Sequence, residues 1–412
     1  MEALGHGLVQ DTIAAGCVAV VTSPATAARS RSSLSARVLS HDSVARQMDW
    51  VLSLAVLALL GLGTALVWSA TSSSLADAGL SPQLYLKKNL INVVIGIALG
   101  AATAMFDYRS LRAYAPFIYL ASMLGLVAVL VPGVGSTING AHSWILLPAG
   151  FSIEPAEFVK VSLCVALPML LAERRDAELV PRPGDLALAI GVGLAPIALI
   201  MLQPDLGSAI IIGILVIGIL AVANTASRWM WGLIAVGGLA SFAAIKLGVL
   251  KAYQIDRLAA FANPSLDPQG VGYNVKQATI AIGSGGLTGK GLFQGSLTNG
   301  KFVPEQQTDF IFTVAGEELG FIGSALVIVL VGIVLWRALR IAYNAPDLFG
   351  TLVATGIACW WTFQAFENIG MTMGIMPVTG VPLPFVSYGG TSMFANMIAV
   401  GLLQNVHMRR YA

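Results

Sequence analysis

Lys301 to Gly320, KFVPEQQTDFIFTVAGEELG, sets Lys301, Glu305, Asp309, Glu317 and Glu318 at the entrance of a long apolar run. On insertion scales an Asp at mid-membrane costs about 2.5–3.5 kcal/mol. Carboxylates in such a place point to a substrate, an ion or a proton. Asp309 stands in Thr308-Asp309-Phe310, and the residues alone leave three roles open. It can serve as a general base toward a hydroxyl, help hold a divalent cation on a pyrophosphate, or cap the following helix together with Thr308.

Further polar residues sit at the ends of other apolar runs. In IEPAEFVK, Glu157 and Lys160 share one helical face. That spacing by itself favours a structural ion pair, with Lys160 able to meet a phosphate if the pair faces a cavity. Gln203-Pro204-Asp205-Leu206-Gly207-Ser208 makes a tight turn in which Asp205 suits a helix cap or the lining of a substrate site. MPVTGVPLPFVSYGG, residues 376–390, has three prolines, three glycines and no charge. Irregular backbone at membrane depth lines a cavity or is buried in protein, so this segment is expected to shape a groove, with Ser387 and Tyr388 supplying hydroxyls. A serine nucleophile is not expected, because no His partner is at hand. His6, His41, His142 and His407 are too scattered for a triad or a zinc site, and Cys17, Cys164 and Cys359 have no metal spacing. The Gly-rich GSGGLTGKGLFQGS lacks the phosphate-loop pattern. Glu367 falls late in the ninth apolar run, either buried or near the surface.

The elements that must position these residues are membrane helices. Of 412 residues, 56% are hydrophobic and only 11% charged, against about 25% charged in soluble domains. Mean hydropathy is +0.79. The expected fold is an all-α polytopic membrane protein of ten spans: 50–69, 88–106, 113–132, 157–172, 186–203, 207–223, 229–248, 310–336, 349–372 and 391–407. Residues 1–47, with Arg29, Arg31, Arg37 and Arg46 in a Ser/Ala-rich tract, read as a disordered cytoplasmic tail or as a start assigned upstream of Met48. Residues 48–412 form the membrane domain.

Arginines then set the orientation. Arg46, Arg109 with Arg112, Arg174 with Arg175 and Arg182, Arg228, Arg337 with Arg340, and Arg409 with Arg410 fall on alternate connections or tails. By the positive-inside rule those are cytoplasmic, so both termini are inside and the polar motifs lie outside. The connection 249–309, between the seventh and eighth spans, is the long extracytoplasmic loop. It carries Asp256, Arg257, Asp267, Lys276, Lys290 and Lys301, and loops of such length are usually functional.

Six ordered motifs, DYRSLR, NGAHSWI, EPAEFVK, QPDLGSA, PEQQTDFIFTVAGEELG and PVTGVPLPFVSYGG, resemble the SEDS family (shape, elongation, division and sporulation) of peptidoglycan glycosyltransferases. The likeness runs from Asp49 to Arg410. The last motif looks like the rod-shape elongation, RodA-like branch; the division branch usually reads nearer PTKGLTLPLISYGG. The resemblance implies that Asp309 is the catalytic aspartate and that Glu157, Lys160 and Asp205 line or support a central cavity. Arg257, Lys301, Lys160 or a divalent cation, Mg or Mn bound at Asp309, are the candidates to stabilise a departing pyrophosphate. No organic cofactor and no nucleic acid are implied. The implied reaction joins an undecaprenyl pyrophosphate-linked glycan to lipid II with inversion, on the outer face of the bacterial cytoplasmic membrane. A class B penicillin-binding protein and the elongation machinery are the implied partners. Two positions depart from the family pattern. Glu154 replaces the usual Gln of Q-P-[SA]-E, and His142-Ser143 stand where G-A-x-R-W has its basic residues. A lipid II flippase and a non-catalytic scaffold for a transpeptidase are the alternatives. Against the flippase, no inverted repeat is evident and the carboxylates cluster on one side.

Overall fold

The computed structural model describes residues 47–138, 141–147, 151–172, 181–248, 252–262 and 270–411. The expectations for the N-terminal tract, Arg174, Arg175 and Asp267 lie outside these residues.

Every one of the ten expected spans coincides with a helix. Among the described residues eight helices are long and apolar enough to cross a membrane, Leu206–Val222 being shorter and Gly390–Met408 not among the eight. The helices at the expected spans are α1 (Trp50–Asp77), α2 (Leu84–Met105), α3 (Tyr108–Leu130), α4 (Pro155–Ala172), α5 (Pro183–Leu202), α6 (Leu206–Val222) and α7 (Ser227–Lys246). After three shorter helices, α8 (Ala252–Ala262), α9 (Val271–Ser284) and α10 (Ser296–Asn299), the eighth span runs through α11 (Ile311–Val314) into α12 (Gly320–Tyr343). Then come α13 (Leu348–Thr372) and α14 (Gly390–Met408). Burial separates centre from rim. α4 and α13 are enclosed along most of their length, and Trp360, Trp361, Leu163 and Leu167 are among the residues they put into the core. α7 buries none of its residues and exposes Trp231, Leu239 and Phe242. Such an apolar, unburied surface is what a lipid-facing helix presents.

Two connections expected as loop contain regular structure. Residues 133–156 hold a three-stranded antiparallel meander, β1 (Gly135–Ile138), β2 (Ala141–Leu147) and β3 (Phe151–Ile153). In that sheet Ser136 is paired with Trp144, and Leu146 with Ser152. The connection 249–309 carries α8, α9 and α10. Their apolar positions are too few for a span, so a hydropathy window passes over them.

The eighth span is broken at GEELG. Residues Ala315–Leu319 form a π-helical turn, and the Gly-rich loop explains it. Lys290 N donates to Glu317 O (3.1 Å) and Gly291 N to Glu318 O (3.0 Å), while Phe321 N donates to Gly286 O (2.9 Å) and Ile322 N to Leu287 O (3.1 Å). The helix thus surrenders two rungs of its ladder to the loop backbone. Gly320, at φ +65°, meets Gly289 so closely that a Cβ there would strike its backbone nitrogen. The glycines serve backbone contact, in keeping with the rejection of a phosphate loop.

Glu317 completes this clamp. It accepts from Lys290 Nζ (2.7 Å), Leu297 N (2.9 Å), Thr298 N (2.8 Å) and Thr298 Oγ1 (2.8 Å). Thr298 O in turn accepts from Gln306 Nε2 (2.8 Å), three residues before Asp309. Glu317→Gln is expected to weaken the clamp by about 1.5–3 kcal/mol, the scale of charge-assisted hydrogen bonds. Faster amide exchange across 286–299, with a lower Tm, would register it.

Candidate active site

A cavity of about 360 Å³ opens where α2, the small sheet, α4, α8 and the 305–309 and 379–392 segments converge. Five carboxylates line it, Glu154, Glu157, Asp205, Glu305 and Asp309, with two cations, Lys88 and Arg257, among the described residues.

Asp309 does not cap the helix that follows it. Phe310 holds the N-cap position, with no side-chain cap. Instead the backbone around Asp309 is tied down on both sides. Its amide donates to Glu305 O (3.1 Å), and Asn368 Nδ2 donates to its carbonyl (2.8 Å). Glu305 sits at φ +50°, a left-handed conformation that folds three successive amides, Thr308, Asp309 and Phe310, onto its carbonyl. The half-buried carboxylate is thereby directed at Gly380. A Cβ on Gly380 would lie 3.3 Å from Asp309 Oδ2 and 3.9 Å from Arg257 Nη1. Burial pushes the Asp309 carboxyl up to about 7, with Glu305 adding to the rise and Arg257 opposing it. A carboxylate that exchanges its proton near neutral pH, open to a cavity, is suited to general base work.

Arg257, on α8, is fixed by donation from Nη1 to Thr379 O (3.0 Å) and by stacking over Tyr253, 5.4 Å from the ring centre. Tyr253 donates to Pro204 O (2.6 Å), which ties α8 to the QPDLGS turn. In that turn Asp205 caps α6 by accepting from Ser208 N (3.1 Å) and also lines the cavity. Gly380 needs its glycine for φ +84°, and a Cβ there would also press on the Asp309 carboxylate. Gly380→Ala is therefore expected to lower activity severalfold, with a stability cost of about 1–2 kcal/mol. Turnover and Tm measured together would separate the two effects.

Residues 50–412 match the family model described as cell cycle protein, FtsW/RodA/SpoVE. The chain belongs to this family. It is the SEDS family that the six sequence motifs resemble. Stage V sporulation protein E of Bacillus subtilis is 38% identical over 361 residues, covering 87% of this chain and 96% of that one. The probable peptidoglycan glycosyltransferase FtsW of Trichlorobacter lovleyi is 36% identical over 360 residues, covering 87% and 93%. Among solved structures, a chain of a peptidoglycan synthase complex that coordinates polymerization and crosslinking superposes with a TM-score of 0.73 at 32% identity, covering 88% and 98%. The rod shape determining protein RodA of Thermus thermophilus gives 0.65 at 30%, covering 89% and 98%. The relatives thus include a sporulation protein, a probable peptidoglycan glycosyltransferase and a rod shape determining protein.

In this SEDS chain the cavity gathers Asp309, Glu157, Asp205, Arg257 and Tyr388 from the sequence-derived candidates. Three others are absent from its lining. Lys160 is fully buried behind Glu157. Its Nζ lies 2.7 Å from Glu157 Oε1 and 3.1 Å from Gln364 Oε1, over the Trp360 ring at 5.1 Å. This is the structural pair that the spacing favoured. Lys301 is exposed at φ +54°, turned to the surface by the bend after α10. Ser387 is buried, donating to Thr308 O (2.5 Å) and accepting from Leu383 N (2.8 Å), so its hydroxyl fastens the Pro-rich segment to the Asp309 loop. Glu367 is buried inside the bundle.

Lys88 was not among the sequence-derived candidates. In the sequence it is only a basic residue at a helix start, yet it and its i+4 neighbour Asn92 both line the cavity. A Lys–Asn pair on one face of an apolar helix was the available signal. His142, at a departure from the family pattern, pairs with Thr137 Oγ1 (2.9 Å), while its neighbours Ser143 and Trp144 line the cavity. At the other departure Glu154 faces the cavity beside Glu157, and burial with neighbouring carboxylates holds its pKa well above the usual range. Among the described residues no group of three or more His, Cys, Asp or Glu is placed to hold a metal. Asp309 and Glu305 both bring hard carboxylate oxygens to the cavity lining.

Proposed function

We propose that this protein is a peptidoglycan glycosyltransferase that polymerises lipid II during cell elongation, on the outer face of the cytoplasmic membrane with both termini inside. The observation that carries the proposal is Asp309. It is a carboxylate with a pKa of about 7, facing a cavity beside Arg257, in a chain whose relatives include probable peptidoglycan glycosyltransferases. Asp309 takes the proton from the 4-hydroxyl of the incoming lipid II. That oxygen attacks the anomeric carbon of the growing glycan, the bond to undecaprenyl diphosphate breaks, and the configuration inverts. Arg257, held beside Asp309, is placed to meet charge on the departing diphosphate. A Mg or Mn ion held by Asp309 and the substrate diphosphate would add a Lewis acid there.

The PVTGVPLPFVSYGG motif supports the elongation role. The likeness to a chain of a synthase complex that couples polymerization to crosslinking supports a class B penicillin-binding protein as partner. The test is glycan synthesis from lipid II by purified protein, with and without that partner carrying an inactivated transpeptidase serine. Polymer on a gel from wild type and none from Asp309→Asn supports the proposal. A folded complex that makes no polymer overturns it in favour of lipid transport or scaffolding.

A further inference from the structure

α8 (Ala252–Ala262) presents three faces, and the reaction at Asp309 uses only one of them. Its inner face carries Tyr253, Gln254 and Arg257. Tyr253 Oη donates to Pro204 O (2.6 Å), Gln254 Nε2 to the same carbonyl (3.2 Å), and Arg257 Nη1 to Thr379 O (3.0 Å). Leu258 stands about 100° round the helix from Arg257. With Ile255 and Phe261, three residues to either side, it makes an apolar strip along one face. All three are exposed, Ile255 by 41%, Leu258 by 37% and Phe261 by 44%. Asp256, two residues from Leu258, falls on the far side of the helix and is exposed as well.

Two markers fix the depth of this helix. Pro204 lies in the turn between the apolar helices α5 and α6, so a helix resting on its carbonyl sits at the membrane boundary. The second marker is the end of α7. There Lys246 reaches over the Phe242 ring, 5.8 Å from its centre, as a lysine at the end of a span does when its ammonium seeks the interface. Five residues join Lys246 to Ala252, and at about 3.3–3.6 Å per residue the start of α8 lies within about 20 Å of that boundary. At this depth, with its inner face taken by protein, α8 turns its apolar strip to lipid.

We propose that α8 is an interfacial helix whose strip of Ile255, Leu258 and Phe261 seats in the phospholipid on the cavity side of the bilayer, and that this seat positions Arg257 beside Asp309. The helix divides its surface three ways, with Arg257 toward the cavity, Leu258 toward lipid and Asp256 toward water, as a helix lying in the interface plane does. The strip continues the lipid-facing surface of α7, which buries none of its residues and exposes Trp231, Leu239 and Phe242. Three side chains are also too few for a specific protein interface, which takes roughly 20–30 residues a side, whereas acyl chains need no matching surface. Hydrogen bonds to Pro204 O and Thr379 O anchor the inner face, and lipid supports the outer one. Together they set the rotation of α8 about its axis and with it the reach of Arg257. The seat itself does not depend on the polymerase proposal; its effect on turnover rests on that proposal.

In the test, Ile255, Leu258 and Phe261 are replaced in turn by photoreactive benzoylphenylalanine, with Asp256 as the control position. The full-length protein is irradiated in nanodiscs of phosphatidylethanolamine and phosphatidylglycerol, with the penicillin-binding partner present. Phospholipid adducts are expected at the three strip positions and not at Asp256. Adducts to the partner or to a second copy of the chain instead, or no lipid adduct from the strip, would overturn the seat. In lipid II turnover, Leu258→Asp is expected to lower kcat/KM about tenfold or more, the scale of a misplaced reacting group. Leu258→Phe should stay near wild type, and Asp256→Asn should be unchanged. Arg257→Ala combined with Leu258→Asp should lose no more than Arg257→Ala alone, because Leu258 acts as a positioning residue through Arg257. Additive losses in folded proteins would overturn the coupling. Failure of each idea looks different. Lipid adducts without glycan synthesis by wild type leave the seat and remove the polymerase; glycan synthesis without lipid adducts does the reverse.

Discussion

Replacing Asp309 by Asn is expected to reduce lipid II polymerisation by about 10²–10⁴-fold, the usual contribution of a positioned general base. The loss should appear in kcat, because the amide keeps the size of the carboxylate and leaves the cavity walls in place. The pH profile of wild type gives an independent check. A base must be unprotonated, so activity should rise with pH and level off above about 7, where burial beside Glu305 has moved the Asp309 carboxyl. Stability runs the opposite way. A carboxyl whose folded pKa is raised binds its proton more tightly folded than unfolded. It therefore favours the folded state below the ordinary carboxylate range and ceases to do so as pH rises toward 7. The side chain of the Asp309→Asn variant cannot ionise, so that protein should be at least as stable as wild type at about pH 8. An inactive variant with a lowered Tm would point to a structural role instead.

The second large effect concerns the pair inside α4. Lys160→Met should destabilise the protein by about 3–5 kcal/mol, because it strands the Glu157 carboxylate beside a buried face. Glu157 is 2% exposed and Lys160 is fully buried. Combining Lys160→Met with Glu157→Gln should recover most of that loss, since two neutral side chains of similar volume carry no uncompensated charge. Thermal unfolding of the single and double variants, read as a double-mutant cycle, measures the coupling. A Lys160→Met protein with wild-type Tm but an altered KM would instead assign Lys160 to substrate. That outcome would require the side chain to swing from behind Glu157 into the cavity.

The break at Glu317 shows why part of this molecule was hidden from its sequence. GEELG reads as two costly acids within an apolar run, which marks the place without explaining it. The explanation is a loop some 27 residues earlier in the chain, whose Lys290 closes on Glu317 and whose backbone takes over two rungs of the helix. The same holds for the sheet at 135–153. Its strands are short and their alternation is interrupted, so pairing between neighbours, more than any local preference, makes them strands.

The membrane architecture, the helical segments expected as spans and the places where charge enters them were legible in the chain before any fold was known. Hydropathy and the cost of a charge in lipid are local properties, readable from a window of residues. The charge at Asp309 was legible for the same reason, as a carboxylate at the entrance of an apolar run. Which cations face the cavity was not legible in that way. Lys88, Lys160 and Lys301 all lie near ends of apolar runs and look alike in the sequence, yet one lines the cavity, one is sealed behind Glu157, and one faces outward. That outcome depends on the rotation of each helix about its axis and on the loop that packs over it. Both are set by contacts between residues far apart in the chain.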